Sequence, residues 1–153
     1  MMRSFILLFF LSFSLFASNL EVTADNFYHK EGEQKAIFTG NVVVTQEENK
    51  ITADKITVLL DEKGEAREYI ATGNVRFILK SPKRHIIGTC NKLTYYPVED
   101  QYVLVGKVYM KDVLRDREVY GDEIIIDNKQ GTSYANSKGK KKVKFIFKVK
   151  SKE

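Results

Sequence analysis

A glycine-centred phrase occurs three times at a fixed interval. Phe38-Thr39-Gly40-Asn41-Val42-Val43-Val44 is followed by Ala71-Thr72-Gly73-Asn74-Val75-Arg76-Phe77 and then by Leu104-Val105-Gly106-Lys107-Val108-Tyr109-Met110, with the glycines 33 residues apart each time. In every copy the apolar residues stand two before, two after and four after the glycine. A spacing of two is the side-chain period of an extended strand, so each copy reads as a strand with one apolar face. The glycine marks a bend or bulge, where a missing Cβ permits positive φ or close backbone approach.

A second element alternates with the first. It centres on an Asp or Asn preceded by a small residue: Ala24-Asp25, Ala53-Asp54, Cys90-Asn91 and Gly121-Asp122. In Ile51-Thr52-Ala53-Asp54-Lys55-Ile56-Thr57-Val58 the apolar step from Ala53 to Ile56 is three. An unbroken ladder would send the two halves to opposite faces. The expectation is therefore a bulge at Asp54-Lys55, with the Asp or Asn adopting the left-handed geometry that bulges often require. The recurrence of Asp25, Asp54 and Asp122 at equivalent places favours a structural role over a catalytic pair.

The remaining chain agrees with an all-β fold. Aromatic and β-branched residues are plentiful, only two prolines occur, and no stretch after the N-terminus holds apolar residues at helical spacing for more than two turns. Turn signals separate the expected strands: Glu31-Gly32-Glu33, Gln46 to Lys50, Asp61 to Glu65, Ser81 to Arg84, Pro97 to Asp100, Arg115 to Arg117 and Asn128 to Gly131. No linker divides them, and 153 residues suit one domain. The inward set is Val22, Phe38, Val42, Val44, Ile51, Ile56, Val58, Val75, Phe77, Leu93, Tyr95, Leu104, Val108, Met110, Ile124 and Ile126. The pattern alone leaves two arrangements open, a sealed core or a pair of sheets splayed like a V around an accessible apolar interior.

The N-terminus is different. Met1 to Ser4 is short and basic, Phe5 to Phe16 is apolar, and Ala17-Ser18-Asn19 offers a small-residue cleavage site, so residues 1–17 are expected to be a signal peptide. Residues 18–137 form the expected β domain and 138–153 a basic strand or tail. Eight lysines from Lys138 to Lys152 crowd that tail, which suits an anionic partner or a solvated edge strand. Catalysis lacks convergent groups. His29 and His85 sit in unlike contexts, no nucleophile elbow or phosphate-cradling loop is present, and neither a metal site nor a cofactor is expected. The single Cys90 fills a slot that Ala24, Ala53 and Gly121 fill elsewhere, so it reads as a small buried hydrophobe. Nucleic acid is not an expected partner, because Tyr95 and Tyr96 lie far along the chain from the lysines.

Phe38 to Gln46 followed by Ile51 to Val58, then Val105 to Val108 and Tyr120 to Ile124, resemble the OstA-like family of lipopolysaccharide-transport proteins over about residues 20–136. The resemblance implies a single-domain antiparallel β-jelly roll, V-shaped and open, whose inward set binds the acyl chains of lipid A. It further implies head-to-tail self-association, LptC-like and LptD-like membrane partners, a periplasmic location and no enzymatic activity. A membrane-anchored LptC-like subunit of the same system is the alternative. The first and last strands, near Leu20 to Asp25 and Val143 to Lys150, are the expected joining edges, since an unpaired edge can accept a strand from another chain. The lysine-dense tail has no counterpart in the resemblance.

Overall fold

The alternation of apolar and polar residues, broken by the turns above, gives ten strands in a computed structural model that describes residues 19–139 and 141–150. They are β1 (Leu20–Thr23), β2 (Asn26–His29), β3 (Lys35–Gln46), β4 (Asn49–Leu60), β5 (Ala66–Ser81), β6 (Arg84–Tyr96), β7 (Gln101–Asp112), β8 (Arg117–Asp127), β9 (Thr132–Asn136) and β10 (Lys144–Phe147). The expected signal peptide at residues 1–17 lies outside the described residues. Among the described residues no helix is long and apolar enough to cross a membrane.

Each long strand from β3 to β8 pairs antiparallel with the long strand before and after it, so the sheet is an open meander in the order β1-β3-β4-β5-β6-β7-β8-β10, with β2 beside β3 and β9 beside β8. The two margins are split strands. β1 and β2 share β3 between them, and β9 and β10 share β8. Counting each split pair once, eight strand positions follow one another from margin to margin.

Every pairing of long strands breaks register near its middle, where the glycine phrase of β3, β5 or β7 meets the Asp or Asn of the neighbouring strand. Between β3 and β4 the register jumps from Thr39 opposite Lys55 to Val42 opposite Ala53, so Gly40 and Asn41 together face Asp54 alone. The same extra residue appears at Gly73-Asn74 and at Gly106-Lys107. All six have positive φ, from 47° at Asn41 and Lys107 to 84° at Gly106. This corrects the expectation for Asp54. The strand phase does slip there, since Ala53 and Ile56 are both buried, but the left-handed residues belong to the glycine strand, and Asp54 is not among the positive-φ residues.

Glycine is demanded here twice over. A Cβ on Gly73 would stand 2.6 Å from Asp54 Oδ2, on Gly40 2.7 Å from Asp25 Oδ2, and on Gly106 2.6 Å from Asn91 Nδ2. The Asp of one repeat lies over the glycine of the next. Asn41 Nδ2 donates to Asp25 Oδ2 at 2.9 Å, and Asn74 Nδ2 donates to Asp54 Oδ2 at the same distance. Each hydrogen bond fixes a side chain whose backbone is already in a costly conformation.

The line of bulges folds the sheet. A flat β6 of 13 residues would hold its ends about 40 Å apart. Yet Arg84, at the start of β6, donates from Nη1 to Oδ1 of Asn128, which lies beyond the far end of the sheet beside Asp100. The two limbs on either side of the bulges therefore face each other, as in a jelly roll. The first limb carries β1, the halves that meet the hairpins at Gln46, Ser81 and Asp112, and β10. The second carries β2, the complementary halves and β9.

Candidate functional site

Because neighbouring strands pair in step, inward side chains line up in rungs that run across the strands. In the second limb one rung reads Phe27, Phe38, Ile56, Ala71, Leu93, Leu104, Ile124, Ala135, one residue from each of the eight positions. In the first limb the opposing rung is Val22, Val44, Ile51, Phe77, Gly88, Met110, Val119, Phe145. An unbroken apolar strip thus runs from margin to margin on both limbs, over about 34 Å at the usual strand spacing.

The sequence-derived set falls entirely within this interior. Val42, Val44, Ile56, Val58, Val75, Phe77, Leu93, Leu104, Val108, Met110, Ile124 and Ile126 are buried, and Val22, Phe38, Ile51 and Tyr95 pack against them half-buried. The structure adds Leu79, Ala53, Ala71, Cys90, Tyr102 and Val119 to the buried core. Leu79 and Tyr102 continue the alternation of Phe77 and Leu104, so that signal was present. Ala53, Ala71 and Cys90 were read from the sequence as apolar or buried small residues, and the structure buries all three.

The interior is not a uniform hollow. Its middle is packed shut, with Phe77, Leu79, Leu93 and Leu104 at 2% exposure or less. Space remains toward the margins. Near β1 a cavity of about 30 Å³ is bounded by Leu20, Val44 and Ile51 on one limb and by Ile56, Tyr69, Tyr95 and Tyr102 on the other. Near β9 and β10 a cavity of about 290 Å³ lies among Ile86, Met110, Val119, Ile124, Ala135 and Phe145, with Asp112 and Arg117 at its rim. The larger cavity lies outside the packed centre.

Polar groups flank the apolar interior, and Gln46, Asn49 and Lys50 join the lining of the smaller cavity. Tyr69, Tyr95 and Tyr102 form a ladder across three strands, with ring centroids 6.1 Å and 4.6 Å apart. Burial pushes all three hydroxyls up from the ordinary phenol range, and for Tyr102 the nearby Arg84 charge opposes that effect. Asp112 accepts from Arg117 Nη2 at 3.0 Å and from Arg115 Nη1 at 3.3 Å. Burial alone would raise its carboxyl, but the bonds from Arg117 and Arg115 outweigh burial and hold it low. Cys90, buried as expected, has its thiol pushed up to about 12 by burial.

His29 and His85 lie on different strands, β2 and β6, and His29 Nδ1 meets the Lys35 carbonyl at 2.9 Å. The margins carry exposed apolar residues. Phe27 and Tyr28 stand out from β2, and Phe145, Ile146 and Phe147 from β10. Phe145 and Phe147 stack at 4.5 Å and extend the first limb's apolar face past the sheet.

Comparison with known proteins follows the same span. Residues 21–132 match the family described as LptA/(LptD N-terminal domain) LPS transport protein. Lipopolysaccharide export system protein LptA of Escherichia coli (strain K12) is 29% identical over 130 residues, covering 74% of this chain and 69% of that protein. LptA of Shigella flexneri gives the same figures. Among solved structures, LptH of Pseudomonas aeruginosa superposes with a TM-score of 0.75, covering 86% of this chain and 96% of that one at 18% identity. It is described as the LptA-homologous periplasmic component of the conserved lipopolysaccharide transport device.

Proposed function

The chain belongs to the LptA/(LptD N-terminal domain) family of LPS transport proteins, and from that premise we propose that it is a periplasmic bridge protein that carries lipopolysaccharide toward the outer membrane, holding lipid A acyl chains between its two limbs. The observation that carries this reading is the pair of opposed apolar rungs, continuous across all eight strand positions and interrupted by no charged side chain.

The energetics suit a carrier. Each methylene removed from water contributes about 0.8 kcal/mol, so a twelve-carbon chain left in water would cost roughly 10 kcal/mol. An apolar strip offsets that cost without directional bonds, so no single contact fixes the lipid at one place along the axis. The inward residues from Val22 to Ile126 named above are the proposed lipid-contacting set. No step of this function needs a catalytic group.

Continuity between protomers follows from the margins. β1 with β2, and β9 with β10, leave outer edges that no strand among the described residues covers, and such edges accept a strand from another copy. Head-to-tail addition would align the rungs of successive copies into one path. The edges also differ in charge: Glu21, Asp25, Glu31 and Glu33 lie at the first, while Lys144, Lys148 and Lys150 lie at the second. Residues 18–137 form the lipid-carrying domain in this reading, residues 1–17 direct export, and LptC-like and LptD-like components receive the two ends. The LptA relatives described above do not favour the anchored LptC-like alternative.

A photo-reactive amino acid at Val44, Phe77 or Met110 tests the proposal. Ultraviolet illumination with lipopolysaccharide is expected to give an adduct at these inward positions and none at the outward Ile78 or Lys80. Absence of adduct at all three inward positions overturns the reading.

A further inference from the structure

Beyond the apolar lining, a polar contact joins the two limbs at the mouth of the V. Arg84, at the tip of the β5–β6 hairpin, donates from Nη1 to Asn128 Oδ1 in the turn after β8. Asn128 is held from behind, because its Nδ2 donates to Asp100 Oδ1 at 3.1 Å and its backbone N to the Asp100 carbonyl at 3.0 Å. Lys129 Nζ donates to the Val98 carbonyl at 2.6 Å, so the turns after β6 and β8 form one rigid rim. Asn128 thereby presents a fixed amide oxygen to the opposite limb.

The position of this contact is telling. Arg84 precedes Ile86, which lines the larger cavity, and Asp100 precedes Tyr102, which lines the smaller one. The strap therefore joins the strand end beside the larger cavity to the turns beside the smaller one, and the packed Leu79, Leu93 and Leu104 lie on strands that meet at its two ends. Its chemistry is that of a releasable fastening. The acceptor is a neutral amide rather than a carboxylate, and the Arg84 Nε is buried with no partner among the described residues, so the guanidinium is tethered there by less than its bonding capacity.

We propose that Arg84 is a latch across the lateral mouth, and that acyl chains pass the packed centre only when the Arg84–Asn128 contact opens and the limbs part. The latch rests on the transport reading for its purpose, but its mechanical part is independent of it. Losing one charge-assisted hydrogen bond shifts the ratio of open to latched molecules by about tenfold or more. The closed form holds a lipid already in place, and the open form admits the next.

The test uses the full mature chain with Cys90→Ala, a residue that two repeats already place in that slot, and with Lys83→Cys and Gln130→Cys on the exposed shoulders of the strap. Spin labels on this pair are expected to give one narrow distance with Arg84 present. Arg84→Met, which keeps the apolar stem, and Asn128→Ala, which removes the acceptor from the other side, are each expected to lengthen and broaden it. An unchanged distance in both variants overturns the latch. A short bismaleimide joining the same cysteines is expected to abolish uptake of fluorescent lipopolysaccharide, whereas Arg84→Met accelerates it. Undiminished uptake by the crosslinked protein overturns the gating. If no form takes up lipopolysaccharide while the distances still respond to Arg84→Met, the transport reading fails and the latch stands.

Discussion

Replacing Gly73 by Ala separates two costs that the bulge imposes together. Gly73 has a φ of 80°, and a Cβ there would meet Asp54 Oδ2 at 2.6 Å and Asp54 Cβ at 2.9 Å. An L-residue in left-handed geometry costs roughly 1–2 kcal/mol. Crowding in a fixed site adds about 1–3 kcal/mol, and loss of the Asn74–Asp54 hydrogen bond about 1 kcal/mol. The expected total is about 4 kcal/mol. Gly32 is the control, because its φ is 88° yet nothing stands within 4 Å of its would-be Cβ. Gly32→Ala should cost only the conformational part, about 1–2 kcal/mol. Urea unfolding followed by circular dichroism measures both, since the chain has no Trp for fluorescence. In the Asp54→Ala background Oδ2 is gone while the 2.9 Å Cβ contact persists, so Gly73→Ala should recover part of its loss but not all. Equal destabilisation by Gly73→Ala and Gly32→Ala, within about 0.5 kcal/mol, refutes the argument that Asp54 presses on the glycine.

Three further outcomes can be checked. Phe77→Ala should lower stability by about 3–5 kcal/mol in thermal or urea unfolding, whereas Ile78→Ala on the outward face should cost well under half of that. Cys90, its thiol raised to about 12, should resist iodoacetamide at pH 8 in the folded protein and react readily in urea. The same shift favours folding below the ordinary thiol pKa of about 8.5 and ceases to help as pH climbs toward 12. Asp112, whose carboxyl is held low, contributes stability above the ordinary carboxylate pKa of about 3.9 that is lost as pH falls through its folded value. Asp112→Asn should therefore be less stable than the parent at pH 7 in denaturant titrations, with the difference vanishing toward pH 2.

Much of this architecture was legible in the residues. The period of two, the turn chemistry and the 33-residue repeat placed the long strands to within a few residues, and all sixteen inward positions are buried or half-buried. The Asp54 strand showed its phase slip because a step of three between Ala53 and Ile56 cannot be hidden in a period-two pattern. The location of the left-handed residues could not be read the same way. An Asp in a strand looks able to adopt positive φ, and only the pairing shows that Gly73-Asn74 carries the extra residue while Asp54 supplies the carboxylate.

The Arg84–Asn128 contact was illegible for another reason. These residues are 44 apart and lie in two turns, and nothing local to either turn specifies that the sheet folds far enough to bring them together. The packed centre was equally hidden, because identical alternation serves a dry core and an accessible trough. Side-chain volumes across the limbs decide between them, and those depend on the fold angle.

The rung alignment bears on how such a protein can change length. Since each of the long strands β3 to β8 pairs with the long strands next to it in sequence and contributes one residue to each rung, adding or deleting an entire hairpin with its glycine phrase would leave the aim of all other inner side chains unaltered. Conduit length is thus a matter of counting hairpins, and a gene could tune reach by duplication alone, without redesigning the wall.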